Sequence, residues 1–182
     1  MKWLAKRIFF RWMGWKFNGN FPNIKKCVIA VVPHTSWHDF YIGVFTRKIV
    51  GLDMHFVAKD ALFKAPFGWY FRWMGGHPVD RSKSSNFVEA VAQIFNREEE
   101  FRMALAPEGT RKKVDKLKTG FYYIAKAAQV PIVMVAFDYG KKEVKFSEPF
   151  WPTDDLERDF LKIHSFFKGV TGKVPEYSFD PN

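Results

Sequence analysis

Short apolar runs alternate with amphipathic stretches along most of this chain. Four runs have the length and composition of buried strands, at residues 27–32, 54–58, 101–106 and 131–137. Between and after them, apolar residues recur at helical spacing, which predicts helices at residues 37–50, 84–96, 119–128 and 154–168. Strands that alternate with helices predict an α/β domain with a mostly parallel or mixed central sheet flanked by helices.

Turn residues indicate the conformation of the remaining segments. A hairpin turn at residues 139–142 leads into a short strand at 144–146. Residues 59–76 are aromatic and punctuated by Gly and Pro, and they lead into a short extended segment at 77–81. The tail, residues 172–182, lacks periodicity and is expected to be irregular or frayed. No repeat or linker divides the chain, so residues 18–182 are expected to form one domain.

The first 17 residues combine basic and aromatic side chains and contain no acid. Leu4, Ile8, Trp12 and Trp15 fall on one stripe of a helix by their spacing. This composition is typical of amphipathic helices that lie in a membrane interface, so residues 1–17 are predicted to form such a helix. The alternative is a helix that packs on the domain and leaves its basic edge in water.

Net charge and aromatic content indicate what kind of molecule this protein binds. The 182 residues carry a formal charge of +10, which indicates an anionic partner: a nucleic acid, a phospholipid surface or a phosphorylated substrate. Aromatic residues make up 19% of the chain, more than a small core needs. Because Trp and Tyr favour the interface between lipid and water, this excess favours a lipid partner.

The compartment is inferred from cysteine usage and from the length of the apolar runs. Cys27 is the single cysteine, so no intrachain disulfide forms, and its apolar neighbours indicate a buried side chain. The longest apolar runs are far shorter than the roughly 18–20 residues that cross a bilayer, and the basic N-terminus lacks a signal-peptide core. We therefore expect a cytoplasmic protein, peripheral on the inner face of the cell membrane.

Candidate chemistry follows the first predicted strand directly. His34 and Asp39 stand where this strand gives way to a helix, the edge at which open α/β sheets place their sites. The pair is interpreted as a general base and the carboxylate that orients it. A surface histidine beside a helix-capping acid is the plainer alternative. A zinc site with His38 and a serine triad with Ser36 are poorly supported, since H-E-x-x-H and G-x-S-x-G patterns are both missing.

Two further segments have the features of anion sites. Gly109 permits a tight turn after the third predicted strand, and Thr110 and Arg111 can face an anion there. Arg81 ends another extended segment and offers the planar fork that suits phosphate. Taken singly, each segment is better explained as a strand-end turn with solvated basic side chains.

The three segments occur in the order found in a known family. His34-Thr35-Ser36-Trp37-His38-Asp39 resembles the H-x4-D block of the glycerolipid acyltransferases, which include 1-acyl-glycerol-3-phosphate acyltransferases. The segment from Gly75 to Arg81 resembles the second block of that family, which ends in Asp-Arg. Ala106-Pro107-Glu108-Gly109-Thr110-Arg111 is similar to its third block, and Val130-Pro131-Ile132-Val133 to its fourth.

The resemblance implies an acyl transfer. The donor would be an acyl thioester, acyl-CoA or acyl-ACP, and the acceptor a lysophospholipid, first of all 1-acyl-glycerol-3-phosphate, giving phosphatidic acid in phospholipid biosynthesis. By resemblance, His34 would deprotonate the acceptor hydroxyl and Asp39 would orient His34. The acceptor's phosphate and glycerol would be held by Arg81, Glu108, Gly109, Thr110 and Arg111. No metal or bound organic cofactor is implied.

The partners expected from this assignment are the two substrates, acyl carrier protein as a donor, and a membrane surface with anionic lipids. Another lysolipid or an aminolipid stays open as the acceptor. A second alternative, from a different class, is a non-catalytic basic module that binds nucleic acid. No RNP1-like or zinc-finger pattern supports that module, so no nucleic acid is expected as a partner.

Overall fold

The structure, a computed structural model, describes residues 2–59, 63–79 and 84–181, and the strands in these ranges form one seven-stranded sheet. The strands are β1 (Lys16–Asn18), β2 (Lys26–Val32), β3 (His55–Lys59), β4 (Gly76–Val79), β5 (Phe101–Leu105), β6 (Ile132–Asp138) and β7 (Glu143–Phe146). Their order in the sheet is β1-β7-β6-β2-β5-β3-β4. All neighbouring strands are parallel except β6 and β7, which the hairpin joins antiparallel. The predicted α/β class and mixed sheet are confirmed.

Helices cover both faces of the sheet. The α-helices are α1 (Lys2–Lys6), α2 (His38–Val50), α3 (Gly68–Trp73), α4 (Ser84–Arg97), α5 (Gly120–Ala128) and α6 (Leu156–Phe167), with a 3-10 turn at Pro175–Tyr177. Within the described ranges, every helix falls short of the length and apolar character that crossing a bilayer requires.

Strand β2 lies at the centre and contributes to two hydrophobic cores. Val28 and Ala30 face one core, which they share with side chains of α4, α5 and α6. Cys27 and Ile29 face the other, which they share with α2 and the N-terminal arm. A strand buried on both faces reads as a continuous apolar run, which is why the sequence predicts β2 clearly.

The N-terminal arm differs from the single helix predicted for residues 1–17. Helix α1 passes into a π-helical segment, Arg7–Trp12, in which the Met13 N–H donates to the carbonyl of Ile8 at 2.9 Å. The wider turn shifts the faces of the arm, so Phe9 is buried while Trp12 is exposed. Residues 16–18 then leave the helix and join the sheet as β1. The predicted stripe from Leu4 to Trp15 is therefore not one face.

The C-terminal tail is largely irregular, as predicted, with a 3-10 turn at Pro175–Tyr177. Phe179 is buried in the core beside α6, and the Val174 N–H donates to the Thr35 hydroxyl at 3.1 Å. A side chain added at Gly172 would clash with Thr35, 2.7 Å from the position of its Cβ. The tail thus packs against the loop that carries His34 and is not frayed.

Candidate active site

Three adjacent parallel strands deliver the central residues of the site. β2 lies between β5 and β6, and the register pairs Ala30 with Leu105 and Val32 with Ala136. The carboxyl ends of these strands therefore meet at one edge of the sheet, where α/β proteins bind ligands. The chain beyond the three ends carries His34, Glu108 and Tyr139, respectively.

His34 and Asp39 contact each other as the sequence predicts. The distance from His34 Nδ1 to Asp39 Oδ2 is 3.1 Å. The backbone N–H groups of Thr35 and Ser36 donate to the same carboxylate oxygen at 2.9 Å, which fixes Asp39 in the first turn of α2. Asp39 is buried, whereas the His34 side chain is 33% exposed and open to a ligand.

Asp39 is held in its charged form. Burial alone would raise its pKa, but hydrogen bonds from the His34 ring, the Ser36 backbone and Tyr139 outweigh burial, and the pKa lies below its usual value. A carboxylate beside Nδ1 favours the tautomer with a proton on that nitrogen. Nε2 of His34 is then free to accept a proton from a substrate.

Tyr139 was missed by sequence reasoning. Its hydroxyl donates to Asp39 Oδ1 at 2.8 Å, so the carboxylate is bonded on both oxygens. Burial and the neighbouring carboxylate both raise the pKa of Tyr139, so the phenol keeps its proton and remains a donor. Its ring meets Trp15 of the arm edge-on, with ring centroids 4.9 Å apart. A single signal was available: Tyr139 lies two residues after the predicted strand at 131–137.

Glu108 lies beneath the His34 loop. Its side chain is 1% exposed, and Oε2 accepts a hydrogen bond of 2.6 Å from the His34 backbone N–H. Oε1 is buried and has no partner among the residues that the structure describes. Burial raises the pKa of Glu108 to about 7, against the lowering effect of the His34 contact. The substrate contact predicted for Glu108 stays a prediction, and its observed contact is with the His34 loop.

A cleft of about 1420 Å³ opens on one side of His34, and we call it the cationic cleft. Gly109, Thr110 and Arg111 line it with His34, and Gly109 adopts a φ of +67° that makes the turn after β5 possible. Five exposed cations follow in one short loop: Arg111, Lys112, Lys113, Lys116 and Lys118. None of the five forms an ion pair with a residue in the described ranges, so the loop is available to an anion.

An apolar cavity of about 420 Å³ lies on the other side of His34. Its walls are mostly aliphatic and aromatic side chains of the sheet, covered by α2 and α3, and His34 and Asp39 also line it. The apolar cavity and the cationic cleft share His34, Val57, Leu105 and Ala106 as lining residues. His34 therefore stands where an apolar space meets a polar one.

Of the predicted site residues, the structure brings His34, Asp39, Glu108, Gly109, Thr110 and Arg111 together. Arg81 lies outside the described residues. The arrangement suits one kind of chemistry, in which a base removes a proton from a group held between an anion-binding surface and an apolar chain site.

Comparison with known proteins agrees with this arrangement. The family described as Acyltransferase matches residues 16–138, which include both the His34–Asp39 pair and the turn at Gly109. The chain therefore belongs to the acyltransferase family.

The names of two curated relatives specify a substrate, which the family description does not. The 1-acyl-sn-glycerol-3-phosphate acyltransferase of Streptococcus pneumoniae is 32% identical over 134 residues, which are 68% of this chain and 49% of that protein. The human 1-acyl-sn-glycerol-3-phosphate acyltransferase beta is 33% identical over 84 residues, 43% of this chain and 30% of that one. This chain thus spans at most about half the length of these relatives.

A solved structure shares the fold. The crystal structure of the 1-acyl-sn-glycerophosphate (LPA) acyltransferase PlsC from Thermotoga maritima superposes with a TM-score of 0.60 at 24% identity. The match covers 89% of this chain and 72% of that one.

Proposed function

We propose that this protein transfers a fatty acyl group from an acyl thioester, acyl-CoA or acyl-ACP, to a lysophospholipid hydroxyl in phospholipid biosynthesis. The proposed acceptor is 1-acyl-glycerol-3-phosphate and the product is phosphatidic acid. One observation carries the proposal: His34 lies at the junction of the apolar cavity and the cationic cleft. A molecule with a fatty chain, a hydroxyl and a phosphate has the chemistry for both spaces. The names of the curated relatives support the same acceptor.

The proposed reaction is a direct attack. Nε2 of His34 takes the hydroxyl proton as the acceptor oxygen bonds to the thioester carbonyl carbon, and Asp39 stabilises the imidazolium that forms. The tetrahedral intermediate collapses with cleavage of the C–S bond, and the leaving thiolate takes the proton back from His34. Products are an ester and a free thiol. The Gly109, Thr110 and Arg111 segment, together with Arg81, is proposed to hold the acceptor phosphate and so to position the hydroxyl.

The environment is proposed to be a membrane surface. The acceptor is a lipid, and the charge of +10 attracts anionic headgroups. Peripheral binding at the cytoplasmic face of the cell membrane would place the enzyme beside its acceptor and its donors.

The test is a panel of acceptors and donors with the products separated by chromatography. We expect acylation of 1-acyl-glycerol-3-phosphate with at least one of the two thioester donors, and none with the His34→Ala variant. Acylation of only a different lysolipid or an aminolipid would replace the proposed acceptor. Salt-sensitive binding to an oligonucleotide, with no transfer in any combination, would favour the nucleic-acid alternative instead.

Direct attack predicts that no acyl-enzyme forms. Burial raises the pKa of Cys27 to about 12, which makes its thiol a poor nucleophile. Ser36 Oγ is hydrogen-bonded to His38 Nδ1 at 2.9 Å, so an acyl-enzyme on Ser36 is the alternative that the test must exclude. Incubation with the thioester alone, followed by rapid acid quench and intact-mass measurement, should give the unmodified mass. An adduct that maps to Ser36 or Cys27 would contradict the direct mechanism.

Tyr139→Phe tests the second hydrogen bond to Asp39. The variant keeps the ring that packs on Trp15 and loses only the hydroxyl. Since this hydrogen bond lowers the pKa of Asp39, its loss raises that pKa, and NMR titration of the Asp39 carboxyl carbon should detect the change. We also expect kcat to fall about tenfold with KM unchanged, as for a lost charge-assisted hydrogen bond. Tyr177→Phe is the control, and an unaltered Asp39 titration together with an unaltered kcat for Tyr139→Phe would contradict this positioning role.

A further inference from the structure

Five large apolar side chains stand in solvent beside the apolar cavity. They belong to α2 and to α3 with its N-cap residue, and we call them the aromatic surface: Phe40, Val44, Phe67, Trp69 and Trp73. Trp69 is 70% exposed and Trp73 is 74% exposed. Two tryptophans in one six-residue helix lose little contact with water on folding, so burial in the core does not explain them.

Exposed apolar side chains are not spread evenly over the molecule. In the part of the chain that the structure describes, 12 of the 16 exposed large hydrophobic residues lie on the arm, on α2 or its cap, or at Phe67–Trp73. Helices α4, α5 and α6 cover the other core, and their described residues include two of these 16, Tyr123 and Leu161. One side of the molecule is therefore apolar.

The aromatic surface is continuous with the cavity. Phe40 and Val44 are exposed and also line the cavity, and Phe71 and Met74 line it from the α3 side. The two sides are tied together, because Arg47 of α2 donates to the carbonyl of Met74 at 2.7 Å. An apolar path thus leads from solvent, between α2 and α3, to His34.

The charges around this surface suit an anionic partner. Described residues 63–79 include Lys64 and Arg72 and no acid. On α2 the single acid is Asp39, which is buried, while Lys48 is exposed. The exposed acid that follows α2, Asp53, is paired with Arg47 at 3.1 Å. Exposed Trp with flanking cations is the composition that lies in the headgroup region of a bilayer.

We propose that the aromatic surface inserts into the interface of an anionic bilayer and forms the entrance to the apolar cavity. A fatty chain then moves from the bilayer between α2 and α3 to His34 without crossing water. The entrance role rests on the proposed function, whereas the contact with the bilayer does not. The sequence predicts interfacial binding only for the arm, so this surface is a second and separate contact.

A fluorescent label tests the contact directly. Cys27 is buried and its thiol pKa is about 12, so a maleimide dye with solvent-sensitive emission should label only an introduced cysteine. The probe site is Trp73→Cys and the control is Trp151→Cys, which is also exposed, at 59%, but follows Phe150 beside the amino end of β6. With equimolar phosphatidylcholine–phosphatidylglycerol vesicles, we expect a blue shift at position 73 and none at 151. No shift at 73, or equal shifts at both, would overturn the proposal.

A pair of double variants tests the entrance. Trp69→Ser/Trp73→Ser should bind the same vesicles about tenfold more weakly or worse, while Trp151→Ser/Leu161→Ser should bind like wild type. The first variant should also lose activity on acceptor in vesicles but keep it, within about twofold, on a short-chain acceptor dissolved in water. Unchanged vesicle binding by this variant would refute the proposed contact with the bilayer. The proposal would also be refuted if wild type were a dimer and this variant a monomer with the same vesicle affinity, because the aromatic surface would then be a dimer interface.

These experiments distinguish a failure of the proposed function from a failure of the proposed entrance. If wild type acylates no acceptor in vesicles or in solution, the proposed function is wrong, and vesicle binding still decides whether the surface contacts lipid. If wild type is active and the first double variant loses activity equally on both forms of acceptor, the entrance role is wrong.

Discussion

Replacement of His34 by alanine will lower the rate of acyl transfer by about 10³-fold or more, the effect expected when a general base is removed. The imidazole is the group that stands between the cationic cleft and the apolar cavity, and its Nδ1 is already committed to Asp39. Without the ring, the acceptor hydroxyl must lose its proton to water. The fall should appear in kcat, because the ring is not expected to bind the acceptor's phosphate.

The matched control is His38→Ala. His38 is an imidazole four residues further on, and it contacts Ser36 Oγ and not Asp39. We expect this variant to keep activity within a few-fold of wild type. Thermal unfolding of both variants should show that each is folded, since the His34 side chain is partly exposed and its removal leaves the core intact. Equal losses in both variants would remove His34 from its proposed role.

The sequence predicts the contact between His34 and Asp39 because its determinants are local. A buried apolar strand, a proline and a helix start lie within a dozen residues, and the His34–Asp39 contact needs only the turn between them. The roles of Tyr139 and Glu108 depend instead on the order of strands in the sheet. Both lie more than 70 residues from His34 in the chain. They approach it because β6 and β5 flank β2, and hydrophobic periodicity carries no information about which strands pair.

The N-terminal arm and α3 show a second limit of prediction from the sequence. Spacing predicts a regular helix in the arm, but the π-helical turn and the buried Phe9 set its orientation through tertiary packing. Helix α3 escapes prediction because it is short and begins at Gly68, a residue that disfavours helices. The exposure of its tryptophans could be known only from the structure, since an aromatic run reads equally well as core.

Glu108→Ala is the second large effect we expect. It removes the acceptor for the His34 backbone N–H, which leaves a buried donor unpaired and frees the loop that positions the base. An unpaired group of this kind destabilises a protein by about 1–3 kcal/mol, and the misplaced imidazole should lower kcat about 10²-fold. Glu108→Gln retains an oxygen for that hydrogen bond and should recover most of the activity. A positioning role predicts a fall in kcat at constant KM, whereas the substrate contact predicted from the sequence would raise the KM for a phosphorylated acceptor in both variants.

The pH dependence of stability provides an independent test of Glu108. Its pKa rises from 4.5 to about 7 on folding, because burial disfavours the carboxylate. Between these values the folded protein holds a proton that the unfolded chain releases, so the free energy of unfolding falls as pH rises through this window. Glutamine cannot titrate. From pH 5 to pH 8, wild type should therefore lose about 2–3 kcal/mol relative to Glu108→Gln in urea denaturation. Parallel curves for the two proteins would mean that Glu108 is charged at neutral pH. A charged carboxylate so deeply buried would need a cation to pair with Oε1, which has no partner among the residues that the structure describes.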